Sequence, residues 1–189
     1  MAQAKKVVRH CSKKPTPYLK YLLEHKYLDR ARNHVAHLYY EDQCLVYDLG
    51  AGRNRNTTYL AEQGFNVVPL DMAPQGDVLP WIAGRDRICE KSRGASLVLC
   101  QYLLMFLTKA ERVQLYLEID RVAAFGGFLL VELEDVKSGH RVSLKEIKDW
   151  FISVKGERSL TPRQLAARNG LWRTVHERDT KHLLMQKST

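Results

Sequence analysis

The chain is poor in cysteine and has no paired thiols. Its four cysteines, Cys11, Cys44, Cys89 and Cys100, are widely spaced and form no C-x-x-C. That excludes a zinc ribbon or a thioredoxin-like dithiol as the expected centre. Cys44 and Cys100 fall in apolar runs, where cysteine acts as a small hydrophobe. No apolar run approaches the roughly 20 residues of a membrane-spanning helix, so no membrane partner is expected. The opening MAQAKKVVRH has no apolar signal-peptide core, which points to a cytoplasmic protein. His34 and His37 stand at i, i+3, with Glu41 and Asp42 just beyond. No third and fourth ligand follow at a recognisable spacing, so no metal site is expected. Internal repeats are absent as well.

What is present describes a globular chain. It has 189 residues, 45% of them hydrophobic, long enough for one domain with a sizeable core. The net charge of +9 is unevenly placed. Residues 1–40 hold nine Lys/Arg against two Asp/Glu, residues 41–136 nine against fourteen, and residues 137–189 twelve against five. Two basic flanks therefore enclose an acidic middle, a pattern that steers anionic substrates or nucleic acid and equally describes solvated helix faces.

The most informative stretch is Cys44–Asp71, CLVYDLGAGRNRNTTYLAEQGFNVVPLD. Cys44 to Tyr47 suits a buried strand. Asp48-Leu49-Gly50-Ala51-Gly52 is a tight glycine turn, and Asn56–Gln63 reads as a helix that Gly64 ends. Phe65–Leu70 is a second strand, with Asp71 at its C-terminal end. Strand, glycine turn, helix, strand and acid in this order place a ligand at the carboxyl ends of parallel strands, over a helix N-terminus. A dinucleotide fingerprint needs a third glycine, and here that position is not glycine. Asp48 is badly placed for a pyrophosphate and well placed for a cation.

Asp48-Leu49-Gly50-Ala51-Gly52 resembles the first motif of class I S-adenosylmethionine-dependent methyltransferases. Asp71 matches the strand-end acid that holds the ribose hydroxyls in that family. Arg55-Asn56-x-x-Tyr59-Leu60-Ala61-x-x-Gly64 is similar to the tellurite-resistance methyltransferase branch. Asn54 stands where the family often has a third glycine, and Asn tolerates left-handed backbone better than most residues. The resemblance implies a Rossmann-like α/β sandwich with a mostly parallel central sheet and a C-terminal antiparallel hairpin. It implies S-adenosyl-L-methionine as cofactor, held by Asp48, Gly50, Ala51, Gly52, Asn54, Asn56, Asp71, Met72, Asp77 and Gln101.

Taken in order, residues 1–14 read as a basic flexible arm and residues 15–189 as one methyltransferase domain. Within it, 15–42 form an N-terminal helical cap and 43–189 the Rossmann-like core. Thr16-Pro17 starts a first helix, on which Tyr18 is a lid candidate or a packing residue. A second helical pattern runs through Ala31, Val35, Ala36, Leu38 and Tyr39. After Asp71, the turn cluster Met72–Asp77 implies a shortened crossover and a third strand that is brief or missing. Trp81 either stacks on adenine or closes the core edge. Ala95–Cys100 is a buried strand whose end, Gln101-Tyr102, should face the donor methyl group; both residues are the catalytic candidates. Leu104–Leu107 echoes the tellurite-resistance branch. Thr108-x-x-Glu111 is a capping box, opening a helix to about Ala124 that Gly126-Gly127 stops before a strand Phe128–Glu132. Further boxes at Ser143 and Thr161 open two more helices. Leu171–Glu177 and His182–Gln186 close the chain as a hairpin.

Methyl transfer from a sulfonium is an in-line displacement that mainly needs alignment and exclusion of water. A general base is required only if the acceptor must lose a proton, and His140 and Glu134 are candidates for it. The leading expectation is a methyltransferase for a small-molecule acceptor. An RNA or DNA methyltransferase is the second reading, from the basic flanks. However, Gln101-Tyr102-Leu103-Leu104 replaces the Asn/Asp-Pro-Pro-aromatic motif of base-amino methylation. A non-catalytic S-adenosylmethionine-binding protein is the third.

Overall fold

The computed structural model describes residues 14–33, 45–88, 94–134, 139–152 and 172–188. Most of the arm, His34 and His37, the continuation of the second helical pattern and the helix expected at Thr161 lie outside the described residues. The elements are α1 (Pro17–Glu24), α2 (Asp29–Asn33), β1 (Leu45–Leu49), α3 (Arg55–Glu62), β2 (Asn66–Asp71), β3 (Leu79–Pro80), β4 (Ala95–Gln101), α4 (Lys109–Val122), β5 (Ala123–Glu132), α5 (Leu144–Ile152), β6 (Trp172–Arg178) and β7 (His182–Lys187). A 3-10 turn over Leu104–Phe106 precedes α4.

The seven strands form one sheet in the order β3-β2-β1-β4-β5-β7-β6. β1 to β5 pair in parallel, and β7 pairs antiparallel with both β5 and β6. This is the Rossmann-like sandwich expected from the sequence, hairpin included. β3 is present and only two residues long.

The alternation of β4 shows why the sheet is covered on both faces. All seven of its residues are buried, as expected of a central parallel strand. Leu97 and Leu99 join a core with Tyr18, Leu22, Leu60 and Phe128, under α1, α2 and α3. Val98 and Cys100 point the other way, to a core with Leu115, Ile119, Trp150 and Phe151 under α4 and α5. Thr16 caps α1, accepting from Leu19 N, with Pro17 in the first turn. Thr108 and Glu111 form a complete capping box on α4. At α5 only the forward half is built, Glu146 N to Ser143 Oγ at 3.2 Å. The Glu146 carboxylate turns instead to Arg112 Nε, 2.9 Å away.

One boundary differs from the sequence reading. α4 ends at Val122, and β5 starts at once, at Ala123, where a strand was expected only from Phe128. Ala123 is already extended (φ −65°, ψ 130°) and pairs with Ala95. Gly126-Gly127 therefore kinks a strand, with Gly126 at φ +77°, rather than stopping a helix. A Cβ on Gly127 would stand 2.8 Å from Ala95 O, so the close approach of β5 to β4 requires glycine there.

Candidate functional site

The strand order reverses between β1 and β4, since the chain runs outward to β2 and β3 before returning. Ligands of such sheets bind at the carboxyl ends of the strands beside this point. The register brings Leu49, Leu70 and Cys100 side by side, and aligns Gln101 with Glu132. Gly50, Asp71, Gln101 and Glu132 thus share one edge.

The turn after β1 is shaped by three left-handed residues, Gly50 (φ +74°), Gly52 (φ +57°) and Asn54 (φ +61°). Gly50 N and Ala51 N both donate to Leu70 O, at 2.8 and 3.1 Å, which ties the turn to the end of β2. A Cβ on Gly50 would press Leu103 Cδ1 at 3.3 Å, whereas one on Gly52 would meet only Gly50 O, at 4.0 Å. Asn54 occupies the N-cap of α3 without a side-chain cap bond, and its buried Oδ1 meets no donor among the described residues. The turn survives the missing glycine, as Asn permits.

Asp48 lies behind this turn, 2% exposed, and accepts from Thr57 Oγ1 at 2.7 Å. Burial pushes its pKa up to about 6, against the opposing hydrogen bonds of Thr57 and the charge of Arg55. Asp71, half-buried at the end of β2, accepts from Gly52 N at 2.9 Å and Ala73 N at 2.8 Å. Met72, next to it, is 78% exposed, an apolar side chain left in solvent at this edge. Asp77 is exposed in the turn leading to β3.

Asn56 and Gln101 are brought together, but inside the protein. Asn56 Oδ1 accepts from Thr16 N at 3.0 Å, and its Nδ2 donates to Gln101 Oε1 at 2.6 Å. Gln101 Nε2 donates to Thr16 Oγ1 at 2.8 Å and to Glu132 Oε1. Tyr102 has φ +56°, and its hydroxyl donates to Glu132 Oε2 at 2.8 Å. Burial and the Glu132 carboxylate both push that phenol's pKa upward. The guanidinium of Arg55 lies 5.5 Å from the Tyr102 ring centre.

Two aromatic candidates turn out to be packing residues. Trp81 is 4% exposed, with Nε1 donating to Asp86 O, so it closes the core edge. Tyr18 is 1% exposed and its hydroxyl meets His176 Nδ1 at 2.8 Å. His140 and Glu134 both line a cavity of about 570 Å³ floored by Met105 and Leu133, beyond the ends of β4 and β5. Among the described residues, no group of three or more His, Cys, Asp or Glu side chains is placed to hold a metal ion, and no helix is long and apolar enough to cross a membrane.

Sequence reasoning missed Glu132, Thr16 and Thr57. Glu132 left one signal, an acid closing the apolar run Phe128–Val131. In the sequence Thr16 reads only as part of a helix start, and Thr57 as one more residue of the helix.

The same architecture recurs in solved structures. An S-adenosylmethionine-dependent methyltransferase from Methanosarcina mazei matches at 15% identity and a TM-score of 0.52, over 82% of this chain and 97% of its own. Phosphoethanolamine N-methyltransferase 1 of Haemonchus contortus, solved with phosphoethanolamine and S-adenosylhomocysteine, matches at 18% and 0.53, over 88% of this chain and 43% of its own. A TehB-like S-adenosylmethionine-dependent methyltransferase from Corynebacterium glutamicum matches at 13% and 0.50, over 91% and 97%. No protein-family model matches the chain, and no curated protein matches it in sequence. At these identities the likeness establishes the fold, that of class I methyltransferases.

Proposed function

We propose that the protein is an S-adenosylmethionine-dependent methyltransferase acting on a small-molecule acceptor, with residues 15–189 as one catalytic unit. The observation that carries this reading is the pairing of two acids with a left-handed glycine turn at the strand-order reversal: Asp48 buried behind the turn, Asp71 hydrogen-bonded to Gly52 N at its front. The residues fit the cofactor. Gly52 leaves room for close approach, and the Asn54 Oδ1 that meets no donor among the described residues lies in the turn itself. Asp71 retains lone pairs for a ribose diol, Met72 offers an apolar surface to a base, and Asp77, exposed in the turn leading to β3, is the candidate polar partner of that base. When bound, S-adenosylmethionine supplies an electrophilic methyl group on a sulfonium.

This chain's own part is to bind, align and shield. Gln101 and Tyr102 stand at the end of β4 where donor and acceptor meet, and a tyrosine ring favours a neighbouring cation. The cavity beside Met105 and Leu133 is the acceptor's place, with His140 and Glu134 at its wall to take a proton where the acceptor must lose one. Its size is within the usual range of small-molecule sites. A fold neighbour solved with phosphoethanolamine supports a small acceptor. The motif likeness at Arg55–Gly64 and a TehB-like fold neighbour favour the tellurite-resistance branch within the class.

The test is transfer of tritiated methyl from S-adenosylmethionine into a cell extract, followed by separation by size. Label in the low-mass fraction is the expected result. Label confined to RNA or DNA would refute the small-molecule reading, and no label above a protein-free control would argue for binding without catalysis.

A further inference from the structure

The least expected charged group at this edge is Glu132. It is fully buried at the end of β5, and a buried carboxylate is unfavourable unless donors surround it. Its donors come from several elements. Thr16 Oγ1 donates to Oε1 at 2.5 Å, Gln101 Nε2 donates to the same oxygen, and Tyr102 Oη donates to Oε2 at 2.8 Å. His182 Nε2 stands 3.8 Å from Oε2.

These contacts hold Gln101 and Tyr102, the two residues that the proposed function sets beside the reacting groups. Tyr102 adopts left-handed backbone, unusual for a bulky side chain and retained only where the surroundings enforce it. Glu132 grips it at both ends, since its main-chain oxygen accepts from Tyr102 N at 2.8 Å while its carboxylate takes the hydroxyl. Gln101 is fixed between Glu132 and Asn56, so its amide has one orientation. Thr16 adds the N-terminus of α1, giving its hydroxyl to Glu132 and its N–H to Asn56.

We propose that Glu132 is the positioning residue of the cofactor site: it holds Gln101 and Tyr102 in their working orientation and seats the N-terminus of α1 against them. This rests on the methyltransferase reading. It predicts that acceptor oxygens at this position matter more than charge. Glu132→Gln keeps an oxygen for Thr16 and Gln101, and its new amide can donate to the Tyr102 hydroxyl, which reverses its bond. Glu132→Leu keeps the bulk and removes every acceptor.

The experiment is calorimetric titration of S-adenosylhomocysteine into the full chain, wild type beside both variants, with thermal melts to confirm folding. The expected result is affinity within about threefold of wild type for Glu132→Gln and a loss of about 10-fold or more for folded Glu132→Leu, the scale of losses when a ligand-orienting partner is removed. Thr16→Val and Tyr102→Phe each remove one arm and should each weaken binding measurably; they decide the matter if Glu132→Leu does not fold. Wild-type affinity in folded Glu132→Leu, or in both single-arm variants, would overturn the positioning role while leaving the methyltransferase reading intact. A wild type that binds no S-adenosylhomocysteine would refute the methyltransferase reading, and this proposal with it.

Discussion

Asp48→Asn should stabilise the protein at neutral pH while weakening cofactor binding. The buried carboxyl titrates near 6 in the folded chain, against 3.8 for an ordinary aspartate. An acid whose pKa is raised by folding binds more protons in the native state. Stability therefore falls as pH rises from about 4 to about 6, and stays at the lower level above that. The two values correspond to about 3 kcal/mol of destabilisation at pH 7. Asparagine removes the buried charge and keeps an oxygen for Thr57 Oγ1. The variant's net gain should thus be about 1–3 kcal/mol, since the hydrogen bond to a neutral acceptor is the weaker one. At this chain length that is about 2–4 °C of melting temperature per kcal/mol. Urea unfolding of wild type and variant at pH 7.5 and pH 4 measures it. The variant should be more stable at pH 7.5, and the gap should close towards pH 4. A variant less stable at pH 7.5, or a gap independent of pH, would refute the argument.

Two further outcomes follow from the far end of the sheet. Lys187, fully buried, lies 3.3 Å from Asp120 Oδ1, which also accepts from Trp172 Nε1. Lys187→Met should cost about 3–5 kcal/mol in urea unfolding at pH 7, because it leaves the Asp120 charge buried without its cation. Gly127→Ala should cost about 1–3 kcal/mol in the same assay, since its methyl would meet Ala95 O at 2.8 Å and force β5 away from β4.

Legibility in the sequence followed contact range. β1, the glycine turn, α3 and β2 lie within one short stretch, and their turn chemistry and periodicity are local, so their order and the place of Asp71 at the end of β2 could be read directly, whereas Asp48 and Leu49, expected in the turn, are the last residues of β1. Boundaries of α3, β2 and the final hairpin moved by a residue, as caps and register allow. The start of β5 was misjudged because Gly126-Gly127 resembles a helix stop. Only pairing of Ala123 with Ala95 shows that the strand has already begun. The buried network was illegible for a different reason. Thr16 and Glu132 are 116 positions apart, and Thr16 and Asn56 are 40 apart. Nothing local announces that a helix cap, a helix residue and a strand-end acid will meet around Gln101. That meeting changes the reading of Asn56 and Gln101. The resemblance implies cofactor contacts for both, and the fold shows side chains already bonded to each other and to Thr16.

The most direct measurement is calorimetric titration of S-adenosylmethionine into the wild type, with Asp48→Ala and Asp71→Ala beside it. The expected result is micromolar binding by the wild type and loss of that binding in both variants, each still folded by circular dichroism. A well-folded wild type that binds none, or variants that bind as tightly as the wild type, would contradict it.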